Sequence, residues 1–116
     1  MRYLMLVVDD PDLTAAEADP EPMSIESWVT EMVERGVDIT GERLRPPADA
    51  KTLRRRRGEL VVTDGPFTET REYIAGFDIL EVADEAEAIE VASKHPMSAL
   101  GTIELRPYWP LDLDLG

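Results

Sequence analysis

The sequence predicts an α+β domain of ferredoxin-like order, βαββαβ with an inserted β-hairpin. Helical spacing of apolar residues occurs in only two short stretches, one after Ser24 and one after Asp84. Period-two alternation of apolar and polar side chains marks most of the other ordered segments. Both helices are short and amphipathic, so both are expected to cover one face of an antiparallel sheet.

Residues 2–8 are rich in β-branched and large apolar side chains, and Asp9-Asp10-Pro11 ends them, which predicts a first strand. The stretch to Pro22 carries prolines and many acids and reads as an irregular surface loop. Ser24 is a plausible N-cap for a first helix, with Ile25, Trp28, Val29, Met32 and Val33 on one face and Gly36 as the stop. Trp28 and Met32 share that face and read as core. Residues 37–44 form a short strand closed by Pro46-Pro47. A hairpin arm follows: Leu53 to Arg57, a turn at Arg57-Gly58, and Glu59 to Val62 returning.

From Tyr73 to Val82, Phe77, Ile79 and Glu81 alternate with Asp78, Leu80 and Val82. Asp84 and Glu87 open a second helix in the manner of a capping box, and it ends near Lys94-His95-Pro96. Residues 100–106 alternate again, setting Ile103 and Leu105 apart from Thr102, Glu104 and Arg106. One domain is expected over 1–110, with 111–116 an acidic C-terminal tail. A sheet covered by helices on one side needs a cover on the other. Two copies packing sheet to sheet would supply it, so an isologous homodimer is expected.

Composition narrows the function classes. The chain of 116 residues is 43% hydrophobic and 32% charged, with a formal net charge of −13. That charge repels phosphate backbones and anionic membrane surfaces, so neither nucleic acid nor a membrane is an expected partner. Arg54-Arg55-Arg56-Arg57 is the local exception. Without interleaved aromatics it reads as a charged hairpin arm that discourages edge pairing. The absence of Cys excludes disulfides, thiolate metal sites and a cysteine nucleophile. One His, no Cys and no D-x-D-x-D-G loop leave no metal site to expect. No G-x-G-x-x-G or Walker motif supports a dinucleotide or triphosphate, and no cofactor is expected. No apolar run approaches the ~20 residues of a membrane span, and no leader segment is evident, so a cytoplasmic location is expected.

The most constrained segment is Val61-Val62-Thr63-Asp64-Gly65-Pro66-Phe67-Thr68-Glu69-Thr70. Gly accepts positive φ, and Pro fixes its own φ while pushing the preceding residue out of the helical region. The Asp64 carboxylate and the Phe67 ring are thereby held in a defined relation. Further landmarks are Gly41-Glu42-x-Leu44-x-Pro46-Pro47, Gly76-Phe77 and Glu104-x-Arg106-Pro107. In this order they resemble the DGPF family of the YCII-like superfamily over nearly the whole chain. The resemblance implies a dimeric α/β barrel with clefts near the interface, a shared pocket and no agreed reaction. Some YCII-like proteins are suspected enzymes with a His–Asp pair whose His lies in the first helix. No His stands between Ile25 and Arg35 here, so that pair is not carried over. DGPF domains also resemble companions of sigma-factor-type transcription regulators in bacterial genomes.

Asp64 is the leading candidate for a catalytic carboxylate, since one beside a rigid turn and an aromatic can be partly desolvated and accept a proton. The alternative is an Asx turn. Glu42, Phe67 and Arg106 are the candidate ligand-pocket residues. Glu42 reads either as a second pocket acid or as a strand-end partner of an arginine. Arg106 reads as a bidentate clamp for a carboxylate or as an ion pair with Glu104 or Glu81. His95 suits the negative end of the second helix's dipole better than catalysis. Two functions are expected to compete: a small-molecule pocket capable of acid–base chemistry, and a non-catalytic regulatory or interaction module.

Overall fold

The computed structural model describes residues 1–68 and 71–113. Glu69 and Thr70 of the motif, and residues 114–116 of the expected tail, lie outside the described residues.

The elements in order are β1 (Arg2–Asp9), α1 (Ile25–Glu34), β2 (Asp38–Arg43), a 3-10 turn (Pro47–Asp49), β3 (Lys51–Arg56) and β4 (Glu59–Asp64), then β5 (Tyr73–Glu81), α2 (Glu85–Ser93), α3 (Met97–Leu100) and β6 (Thr102–Pro107). Four strands form an antiparallel sheet in the order β2-β5-β1-β6. This α+β arrangement is compatible with a ferredoxin-like fold. Among the described residues strands β3 and β4 pair only with each other, as an arm inserted between β2 and β5. The arm lifts the radius of gyration to 16.8 Å, against about 13 Å for a compact chain of this length.

Alternation along β1 divides the two faces of the sheet. Tyr3, Met5 and Val7 are buried beneath the helices. Across the ladder they face Leu80, Asp78 and Gly76 of β5, and Met5 and Val7 face Leu105 and Ile103 of β6. Trp28, Met32, Val37, Val82, Ala88, Val91 and Ala92 complete the core. The Trp28 indole N–H donates to the Val91 carbonyl at 2.9 Å, which ties α1 to α2 inside the core. Outside it, Arg35 meets Glu31, Glu87 and Glu90, while Lys94 meets Glu31 and Glu90. The second face carries Leu4, Leu6, Val8, Phe77 and Ile79 in its centre, with no helix of the described residues over it.

The helix starts are built as their side chains dictate. Ser24 Oγ accepts from the Ser27 N–H, and Asp84 Oδ1 from the Glu87 N–H. Glu87 in turn reaches back to the Ala83 N–H. Arg57 and Gly58 both take positive φ, 53° and 78°, and close the arm with the expected tight turn. Two features depart from the sequence reading. A short helix, α3, stands between α2 and the last strand and takes in Leu100, which the alternation had joined to that strand, and a 3-10 turn follows Pro46. Among the described residues, no helix is long and apolar enough to cross a membrane.

Candidate functional site

The Asp-Gly-Pro-Phe turn is clamped to the base of the arm. Gly65 has φ 94°, a left-handed value that a side chain would strain. Its N–H donates to the Ala50 carbonyl at 2.8 Å, and its carbonyl accepts from Thr52 Oγ1 at 2.8 Å. The Arg54 guanidinium lies over the Phe67 ring, 4.9 Å from its centroid, a cation–π contact. Asp64 ends β4 opposite Lys51 and forms an ion pair with it; its side chain is 82% exposed.

Beside this turn is a groove of about 550 Å³. Leu44, Pro46, Pro47, Pro66, Phe67 and Thr68 line it. Val8 and Ile74 form part of its wall, and both belong to the sheet face that lacks helices. The groove therefore opens into that apolar face.

The sequence-predicted residues are distributed rather than gathered. Phe67 lines the groove, whereas Asp64 stands outside it on the exposed strand end. Glu42 faces Phe77 on β2, and Arg106 faces Leu4 on β6, both on the helix-free face. These two strands are opposite edges of the sheet, so three strand spacings, about 14 Å, separate them. One chain alone does not bring Asp64, Glu42 and Arg106 together. Neither Glu104 nor Glu81 is the partner of Arg106 in the structure; Glu81 is taken by Arg2.

Sequence reasoning missed two polar features beneath the helices. Asp38 and Asp78 place their carboxyls together, and burial pushes both pKa values up. Strand alternation offered a signal, since it put Asp78 in phase with Leu80 and Val82. His95 is the second. It was expected at the negative end of the α2 dipole and does follow that helix, but it is only 4% exposed, and burial lowers its pKa to about 4. Its ring meets Trp28 edge-on at 4.9 Å. The imidazole is a neutral, buried group, and no pattern in the sequence signals that. Among the described residues no group of three or more His, Cys, Asp or Glu could hold a metal ion.

Comparison with known proteins gives a consistent result. The family profile described as the YCII-related domain matches residues 1–112. An uncharacterised protein of Rhizobium meliloti (strain 1021) is 36% identical over 113 residues, covering 92% of this chain and 91% of that protein.

Proposed function

Because this chain belongs to the YCII-related family, we propose that it acts as a cytoplasmic homodimer that holds a small polar or aromatic molecule beside the Asp-Gly-Pro-Phe turn. The observation that carries this reading is the continuity of the groove with the helix-free sheet face. Leu4, Leu6, Val8, Phe77 and Ile79 form an apolar centre, and Thr40, Glu42, Glu104 and Arg106 form a polar rim on the two edge strands. A second copy packed on that face would complete an α/β barrel and roof the groove. Apolar patches of this extent are seldom left wet on a monomer.

In such a dimer Phe67, with Arg54 stacked on it, supplies a surface for a planar ligand. Arg106 and Glu42 of the rim supply charge, and Asp64 is the carboxylate available for proton transfer. Crystals of the purified protein soaked with small aromatic acids and amides test this directly. Ligand density against Phe67 and Pro47 in a dimer supports the reading. A monomer, or ligands bound elsewhere with that groove empty, overturns it.

The second reading is a protein-interaction module of the kind that accompanies sigma-factor-type regulators. One observation favours it: Leu53, Leu60 and Val62 share one exposed face of the arm. A dimer that leaves this face in solvent would make the arm available to another protein.

A further inference from the structure

A second cavity, of about 480 Å³, lies on the other side of the sheet, beneath α3 and the start of α1. Its floor is one register row, in which Val7 faces Gly76 and Gly76 faces Arg43. A Cβ on Gly76 would come within 2.9 Å of the Glu42 carbonyl oxygen, so glycine there keeps β2 close and leaves the floor open. Ile25, Met97 and Leu100 give apolar walls.

His95 supplies the polar group that makes this cavity more than a packing gap. Nδ1 accepts the Met97 N–H at 3.0 Å, which fixes the ring proton on Nε2. That Nε2–H has no hydrogen-bond partner among the described residues, in a side chain only 4% exposed. It is also not sealed off as a buried unsatisfied atom, a condition found among the described residues only for Asp38 Oδ1. The accessible edge of the ring is therefore the Nε2–H edge, and His95 lines the cavity. Arg43 lines it too, and its guanidinium has no ion pair or hydrogen bond among the described residues. Two donors without partners among the described residues thus line one largely apolar cavity. The acids nearby are Asp9, whose Oδ2 accepts from the Tyr73 hydroxyl at 2.8 Å, and Glu21 on the loop before α1.

We propose that this cavity is a binding site for a small monocarboxylic acid with an aliphatic or aromatic body. The carboxylate accepts from the Arg43 guanidinium and the His95 Nε2–H, and the body packs on Ile25, Met97 and Leu100. Asp9 and Glu21 select against a second negative charge on the ligand. The site is separate from the groove at the Asp-Gly-Pro-Phe turn, so either can fail without the other.

The probe is 3-phenylpropionate, with 3-phenylpropanol as the neutral control, titrated into the intact protein. His95 is the sole imidazole in the chain, so its NMR signals need no further assignment. Saturable shifts of the His95 ring signals and the Trp28 indole N–H are expected, with a dissociation constant of about 1 mM or tighter. Arg43 is exposed, so Arg43→Gln should fold normally. It should weaken the acid roughly tenfold or more, as loss of a charged hydrogen bond does, and leave the alcohol unaffected. Phe67→Ala, in the other groove, should leave the titration unchanged. Absence of a saturable His95 shift in the folded protein overturns the proposal, and so does equal affinity of Arg43→Gln for the acid.

Discussion

The carboxyls of Asp38 and Asp78 lie together on the helix-covered side of the sheet, and Asp38 Oδ1 is buried without a hydrogen-bond partner. Asp38 lies across from Leu80, and Asp78 across from Met5, so the pair faces the apolar core. A bulge between Asp38 and Thr40 brings Asp38 onto that face. Two carboxylates cannot both ionise there at low cost, so the pair favours keeping a proton. For Asp78, burial is the larger cause of the raised pKa and the Asp38 charge the next.

The sign of the resulting pH dependence follows. An Asp with a raised folded pKa holds its proton more tightly folded than unfolded, so its contribution is complete below the unfolded value of about 3.9. It is lost as pH rises towards the folded value, pushed up to about 8. Asp78→Asn keeps the shape of the side chain and a group able to donate to Asp38, and removes the titration. We expect it to stabilise the protein at pH 8–9 relative to wild type and to do little at pH 4. Allowing for screening of a part-exposed group, the gain should be about 1 kcal/mol, or roughly 4 °C in Tm. Thermal melts across that pH range, with parallel curves for the two proteins, would refute it.

Gly41 faces Asp78 across the ladder, and the Asp78 carboxyl fills the space that a side chain at 41 would need. A Cβ there would also lie 2.8 Å from the Phe77 carbonyl oxygen, which is backbone and cannot swing away. Gly41→Ala is expected to destabilise by about 1–3 kcal/mol, the usual cost of overpacking. Urea denaturation with an unchanged midpoint would show that β2 has room to move.

Several elements were legible because a local rule and the tertiary environment agree on them. The Arg57-Gly58 turn, the Ser24 and Asp84 caps, and the burial of Trp28 and Met32 are all of this kind. Helix α3 was not legible, since four residues give helical periodicity no room. The candidate site was legible only as a turn: Gly65 and Pro66 reveal its shape. Which side chains converge on it depends on strand order, which placed Glu42 and Arg106 on opposite edges. The burial of His95 was not legible, because sequence shows its place after α2 but not the depth of the site beneath α3.

The helix-free face and the arm make a joint prediction about assembly. Leu6 stands in the centre of the apolar face, flanked by Phe77 and Glu104. If that face is the dimer interface, Leu6→Asp should dissociate the dimer while leaving the helix-side core intact. Light scattering should then fall from twice 13.0 kDa to 13.0 kDa. A wild-type mass of 13.0 kDa at micromolar concentration would reject the dimer altogether.

The arginine run is expected to contribute little to folding. Arg55 and Arg56 lie on the exposed arm, and Arg54 is already engaged with Phe67. Changing Arg55 and Arg56 to Ser should shift stability by less than ~1 kcal/mol. With a net charge of −13 on the chain, no duplex DNA binding is expected at physiological salt. Micromolar affinity that falls steeply with added salt would contradict this.

Asp64 separates a turn former from a functional acid. Its ion pair with Lys51 is exposed on both sides, 62% and 82%, so the pair itself should be worth no more than ~1 kcal/mol. Gly65 already makes the turn through its backbone bonds to Ala50 and Thr52. Asp64→Asn should therefore fold and assemble as the wild type does, with a loss of stability within that limit. If Asp64 works only as an Asx turn, Asn serves equally and ligand binding beside Phe67 is unchanged. If it is a proton acceptor brought against the ligand by the second copy, Asn removes the ionisable group and the pH dependence of binding disappears. We expect the second outcome, because the turn does not need a carboxylate to form. Calorimetric titration of any molecule found in the groove, run from pH 3 to 8 on both proteins, decides between them. Identical pH profiles would assign Asp64 to the turn alone.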